Sequence, residues 1–241
     1  MEKSLRPFAG GKEGPVFYFD STYLLVLIGL ALGLWAQYRV KSAYEKYSQV
    51  YTQRGLPAQE AVRALLSAQG AEPVTIAPVS GQLTDHYDPK TNTLRLSQGV
   101  YDSSSVAAVG IAAHEAGHAL QQQQRYPFLA LRTAMVPVVN IGSRLSWPIF
   151  LAGILFSWEP LMTAGIVLFG AAVLFSLITL PVEFDASRRA LAMLSGSGYL
   201  TQEEEKGVRA VLTAAALTYV ASFISALLQM LRLILLSRRR R

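Results

Sequence analysis

Residues 114–118 read His-Glu-Ala-Gly-His, and His114 and His118 are two of only three histidines in a chain of 241 residues. Asp102-Ser103-Ser104-Ser105 offers a set of natural N-caps just upstream, so residues 106–124 read as one long helix. On a helix, positions four apart stand one above the other, with Cβ atoms about 5–6 Å apart. Two imidazoles placed this way can grip one metal ion from the same side. Glu115 lies three residues before His118, which brings its carboxylate to the rim of that face. This is the H-E-x-x-H arrangement of zinc metallopeptidases: two neutral imidazole ligands, and a carboxylate to take a proton from water. A chance match in an apolar helix is the plain alternative, so the surrounding chain has to decide.

The chain is 51% hydrophobic and 16% charged, and its apolar residues fall in long blocks rather than short periodic runs. It has no cysteine, so neither disulfides nor thiolate ligands are available, and any zinc site must be built from His and carboxylates. The formal net charge of +6 does not point to nucleic acid, because the basic residues mostly flank apolar blocks. Four blocks match the roughly 20 residues needed to cross a bilayer. The first spans about 17–38, bracketed by Tyr23 and Trp35, and reads as an uncleaved anchor. The second spans about 136–158, weakened in its first half by Asn140 and Arg144. Glu159-Pro160 reads as a tight turn before 161–180, which carries no charge. The fourth, about 212–236, contains Arg232 and ends in the basic run Arg238–Arg241.

Between the first two blocks lies a water-soluble stretch. It opens with a polar helix carrying Tyr44, Tyr47, Val50 and Tyr51 and ended by Gly55-Leu56-Pro57. A second helix follows over 58–69. Short strands are expected at 74–76, 84–87 and 93–96, the last two joined by the turn-rich Asp88-Pro89-Lys90-Thr91-Asn92. Gln121–Gln124 reads as a solvated helix end. The expected divisions are an anchor region over 1–39, a soluble zincin-like portion over 40–132, a transmembrane hairpin over 133–181, a third-ligand helix over 182–210, and a last span with its tail over 211–241.

A catalytic zinc site needs three protein ligands and one open position. Candidates for the third are His86 and the carboxylates Glu183 and Asp185, which follow directly on the charge-free block. Carboxylates there also commonly mark the start of a solvated segment. The hairpin geometry nevertheless returns the chain to the side from which it left, so the two halves of a site can meet.

The segments Thr84-Asp85-His86-Tyr87-Asp88-Pro89, Leu94-Arg95-Leu96-Ser97, His114-Glu115-Ala116-Gly117-His118-Ala119 and Pro181-Val182-Glu183-Phe184-Asp185-Ala186-Ser187 closely resemble the YugP-like family of bacterial neutral zinc metallopeptidases. The likeness covers nearly the whole chain. More distantly the layout is similar to the HtpX and CAAX-prenyl membrane proteases. The resemblance implies a mainly α, integral membrane fold: a gluzincin-like metallopeptidase core with a small β-hairpin or sheet and about four transmembrane helices. It also implies Glu183 as the third zinc ligand. Ser187 stands where the distant relatives carry Asp, so a zinc-binding histidine needs another partner here, for which Asp185 is a candidate.

The chemistry expected is zinc-assisted hydrolysis of peptide bonds in membrane or membrane-proximal proteins. His114, His118 and Glu183 would hold Zn2+ and Glu115 would move the proton. The small residues Ala112, Ala113, Ala116 and Gly117 leave room for another backbone near the metal. The strand hairpin offers an edge to an extended substrate. His86, Tyr87, Arg188 and Tyr199 are candidates for stabilising the oxyanion, with His86 carried forward as a catalytic residue. Arg39, Lys41 and Lys46, Arg125 and Arg132, and Arg188 and Arg189 place this portion on the cytoplasmic face of the cell membrane, with Glu159 outside. Four spans then put the basic tail outside, against the same rule, unless the last block fails to cross or the orientation is reversed. A catalytically silent zinc-binding scaffold is the competing function, and a transporter is weaker for want of an ionisable path through the third block. A homo-oligomer or a membrane partner is compatible with the sequence, which specifies neither.

Overall fold

A computed structural model describes residues 20–238. The start of the first apolar block, at residues 17–19, and Arg239–Arg241 of the basic run lie outside them. The described chain runs α1 (Tyr23–Tyr47), α2 (Ala58–Ala68), β1 (Thr75–Val79), β2 (His86–Asp88), β3 (Thr93–Ser97), α3 (Gln98–Tyr101), α4 (Val106–Gln123), α5 (Pro127–Leu155), α6 (Glu159–Gly196) and α7 (Gln202–Arg238). The class is the expected one: mainly helical, with a small sheet and four helices long and apolar enough to cross a membrane.

Those four are α1, α5, α6 and α7, with mean hydropathies of 1.5, 1.4, 2.4 and 2.0 over their most apolar windows. Only 11% of the α1 window and 22% of each of the others is buried inside the protein, so most of this apolar surface faces outward. Exposed Leu24, Leu27, Leu30 and Leu34 on α1 and Ile141, Leu145 and Leu151 on α5 form such surfaces, which in water would drive aggregation and in a bilayer meet lipid. At 37 residues, α7 is long enough to cross.

Two helices run further than composition suggested. α1 passes unbroken from its apolar half through Arg39 and Val40 to Tyr47, so the anchor and the start of the polar helix are one element, which ends short of the expected Gly55: Val50 and Tyr51 lie outside it, and Tyr51 bridges to Ser105. α6 likewise continues through Pro181 and carries Glu183 and Asp185 on the same rod as the span. A proline inside a helix removes one N–H and crowds the carbonyl four residues back, which membrane helices tolerate where neighbours re-satisfy the backbone. The hairpin turn between α5 and α6 falls at Phe156–Trp158, just before Glu159.

The layer beyond the apolar helices is organised around α4. The Ser105 side chain accepts from the Ala108 N–H at 3.2 Å and starts the helix. Val106, Ala107, Ala108, Val109, Ala112, Ala113, Ala116 and Ala119 are fully buried, so α4 is enclosed on nearly all sides. Val62 and Leu65 of α2, Leu94 and Leu96 of β3, Met193 and Leu194 of α6, and Val208 and Leu212 of α7 pack with it into one core. The sheet has the order β1-β3-β2. β1 and β3 are parallel (Ile76 opposite Leu94), and β2 and β3 form the expected antiparallel hairpin (Tyr87 opposite Leu94).

α6 reaches α4 because Gly117 has no side chain. A Cβ there would lie 2.5 Å from the Ala186 carbonyl oxygen and 3.1 Å from Ala186 Cα, and backbone cannot fold away as a side chain can. Gly117→Ala is therefore expected to push α4 and α6 apart. Overpacking of this kind costs about 1–3 kcal/mol, more than the ~1 kcal/mol that alanine gains in helix propensity. Thermal unfolding in detergent should show the loss, and an unchanged midpoint would mean that the two helices are not locked at this contact.

Candidate metal centre

His114 and His118 project from one face of α4, and Glu183 comes to them from α6. Their ring centroids are 4.8 Å apart, and Glu183 Oε2 lies 3.3 Å from His114 Nε2 and 3.5 Å from His118 Nε2. One donor atom from each of the three lies within 4.8 Å of the others, and this is the group of His and carboxylate residues suited to a metal among the described residues. Glu183 is almost fully buried, and both imidazoles are largely so.

Each ring is held at its far nitrogen. The Ser187 hydroxyl lies 3.1 Å from His114 Nδ1, and Gln121 Oε1 lies 3.0 Å from His118 Nδ1. With Nδ1–H donating in both, each Nε2 is turned toward Glu183, where its lone pair can serve a metal; without one, a proton on His118 Nε2 makes the hydrogen bond to Glu183. Ser187 thus supplies the contact that its departure from the distant relatives put in question. Asp185 touches neither ring: its Oδ2 accepts from Gln121 Nε2 at 3.0 Å, while the same amide donates to the Val182 carbonyl at 2.8 Å. Asp185 is in turn paired with Arg188 and Arg189. Gln121 is fully buried, so the reading of Gln121–Gln124 as a solvated helix end fails at its first residue.

The donor set fits a divalent cation. Burial pulls the His118 imidazole toward its neutral form, but the hydrogen bond to Glu183 and the charges of Glu115 and Glu183 outweigh it. The ring is held above the ordinary histidine range. Two carboxylates facing two imidazoles favour an added positive charge here, which a metal ion can supply. Glu183 Oε1, on the other side, lies 3.3 Å from Arg132 Nη1 of α5.

Glu115 stands beside the cluster without joining it. Its Oε2 accepts from the Tyr87 backbone N–H of β2 at 3.0 Å, which leaves Oε1. β2 is an edge strand, and its outward N–H at Tyr87 is therefore already given to Glu115. A cavity of about 580 Å³ opens over these groups. Tyr87, Arg132, Pro137, Phe175 and Tyr219 share its walls with the cluster.

His86 lines this cavity but lies outside the three-residue group; it is exposed, with Nδ1 2.8 Å from the Thr84 carbonyl. The Tyr87 phenol donates to Asn92 Oδ1 at 2.8 Å, and burial, with the charge of Asp88 behind it, raises its pKa. Arg188 is exposed against Asp185, and Tyr199 is buried in the α4 core under the Arg54 guanidinium. Neither lines the cavity. Arg132, read from the sequence only as a topology flank, and Tyr219, not singled out there, do. Tyr219 shares the cavity wall with Glu183. Each is a polar residue at the margin of, or within, an apolar block, which was the available signal.

Four outward-facing apolar helices with a two-histidine, one-carboxylate cluster at one end define an integral membrane protein with a candidate metal centre. The chain matches the family described as “Putative neutral zinc metallopeptidase” over residues 22–238, and it belongs to that family, whose metal is zinc. It is 46% identical over 212 residues to “Putative membrane protease YugP” of Bacillus subtilis (strain 168), an overlap covering 88% of this chain and 94% of that relative. No solved structure matches it.

Proposed function

We propose that this chain is a membrane-embedded zinc metalloendopeptidase that hydrolyses peptide bonds of membrane or membrane-proximal proteins. The observation that carries this reading is the placement of Glu115. It sits on the cavity wall next to the His114–His118–Glu183 cluster, anchored through one carboxylate oxygen and free to accept a proton at the other.

In this reading His114 and His118 bind through Nε2 and Glu183 through Oε2, with Arg132 holding Oε1. Zinc, when bound, supplies Lewis-acid polarisation of the scissile carbonyl and lowers the pKa of water toward about 7. Ser187 and Gln121 fix the tautomers of the two rings, and Asp185 fixes Gln121. Glu115 takes the proton of the attacking water at Oε1 and returns it to the leaving amine. The Tyr219 hydroxyl and the Arg132 guanidinium face the same cavity and donate to the oxyanion as charge develops there. His86, at the exposed rim, contacts substrate. With the Tyr87 N–H committed to Glu115, an extended substrate pairs along β2 chiefly through carbonyl acceptors.

The site end faces the cytoplasm. Arg39 and Lys46 of α1 and Lys206 and Arg209 of α7 share one cleft there, which adds α7 to the basic flanks that set orientation.

The test is hydrolysis of casein by the purified protein in detergent. Cleavage should be abolished by a chelator and restored by stoichiometric Zn2+. Cleavage that survives complete removal of metal would overturn the proposal, as would its absence in the zinc-loaded protein.

A further inference from the structure

The second membrane helix carries a stripe of three polar residues and a proline that the mechanism does not use. Thr133, Pro137, Asn140 and Arg144 follow one another at steps of four, three and four residues, so they share one face of α5. All four are exposed. Thr133 and Pro137 line the catalytic cavity, so the stripe leads out of it.

The stripe descends to the middle of the span. Gly142 packs on the backbone of α6 at Leu168, where a Cβ would lie 3.3 Å from the carbonyl oxygen, and Leu168 is near the centre of the charge-free block. Arg144 is also 11 residues, about 17 Å, from the far end of α5, roughly half of a 30 Å hydrocarbon layer. Among the described residues it has no hydrogen-bond or ion-pair partner. Helical side chains lean toward the N-terminus, which on α5 points the guanidinium back toward Asn140 and the cavity. A cation at this depth is expensive unless it faces water or a counter-group.

The helix on the far wall explains the shape of the space. α7 meets α5 at the end away from the site, where Leu233 packs with Phe150 and the Arg232 guanidinium lies 6.0 Å from the Trp147 ring centroid. At the site end the cavity lies between them, with Val136 and Pro137 on one side and Tyr219 on the other. α5 and α7 therefore enclose a wedge, closed at the far end and widening toward the cluster.

We propose that this wedge receives a membrane-spanning segment of the substrate, which reaches the cavity sideways from the bilayer, and that Arg144 pairs with an acidic side chain carried by that segment at mid-bilayer depth. This rests on the peptidase reading and adds the class of substrate. Charge complementarity selects the occupant, and continuity with the catalytic cavity selects substrate over a passive neighbour.

The experiment uses binding, so that it does not depend on turnover. The Glu115→Gln protein, with Ile141→Cys as its sole cysteine for an acceptor dye, is placed in nanodiscs of neutral lipid. The probes are donor-labelled Leu/Ala helices bearing either one central Asp or Leu at that position. The Asp helix should bind at least about tenfold more tightly than the Leu helix. Arg144→Leu should erase the difference and Arg144→Lys should retain it, with zinc content reporting that each variant is folded. Equal affinity for the two helices in the Arg144 protein would overturn the proposal, as would discrimination surviving in Arg144→Leu. So would a substitution that only dissolves a dimer in sedimentation. Failure of casein cleavage in zinc-loaded protein would strike the peptidase reading and leave this measurement unaffected.

Discussion

Glu115→Gln is expected to lower kcat for casein by about 10²–10⁴-fold, the usual contribution of a positioned acid–base group, while zinc content stays at that of the unsubstituted protein. The two effects separate because Glu115 is outside the three-atom cluster, so the donor set survives the change. The substitution also preserves shape: a glutamine carbonyl can still accept the Tyr87 N–H that now goes to Glu115 Oε2. What is lost is the capacity to hold a proton between water and the leaving amine. Zinc analysis on the protein used for kinetics decides the matter. A Gln variant that keeps its metal and still turns over within about threefold of the parent would remove Glu115 as the base. Full metal with no hydrolysis in either protein would instead support the silent scaffold.

The motif helix and its cap were legible because they are local: spacing put His114 and His118 on one face, and Ser105 is the residue that accepts the Ala108 N–H. The apolar blocks were legible because crossing a bilayer demands composition. Helix ends within α1 and α6 were not. When a span continues into water the side chains change character, but the backbone need not break, even at Pro181. The third ligand shows where local reading stops. Glu183 and Asp185 lie on nearly opposite sides of α6, so which of them meets the imidazoles depends on how α6 is rotated against α4. That rotation is fixed by the close approach of Ala186 to Gly117, a tertiary contact. Gln121 had a local signal, its position three residues after His118, but a run of four glutamines disguised it. Arg132 and Tyr219 come from two further helices, and Arg132 at the mouth of an apolar block reads first as a topology signal.

Glu183→Ala should abolish the stabilisation that zinc confers. Glu183 brings the only carboxylate oxygen within 3.5 Å of both ring nitrogens among the described residues, and Glu115 cannot replace it without surrendering its bond to Tyr87. If four ligands together give on the order of 10–16 kcal/mol of apparent zinc affinity, one is worth about 3 kcal/mol, or two orders of magnitude in Kd. A ligand present at 100 times its Kd stabilises the folded state by about 2.7 kcal/mol; weakened a hundredfold, the same concentration gives only about 0.4 kcal/mol. Thermal unfolding with and without Zn2+ therefore separates two roles for this side chain. If Glu183 is a ligand, the zinc-dependent rise in Tm collapses in the variant, whatever the loss of its Arg132 pair does to the metal-free Tm. If Glu183 serves only to pair Arg132 and bridge the helices, the metal-free Tm falls and the zinc-dependent rise persists. Full zinc occupancy in Glu183→Ala would remove this residue from the centre, and with it the convergence of α4 and α6 on one ion.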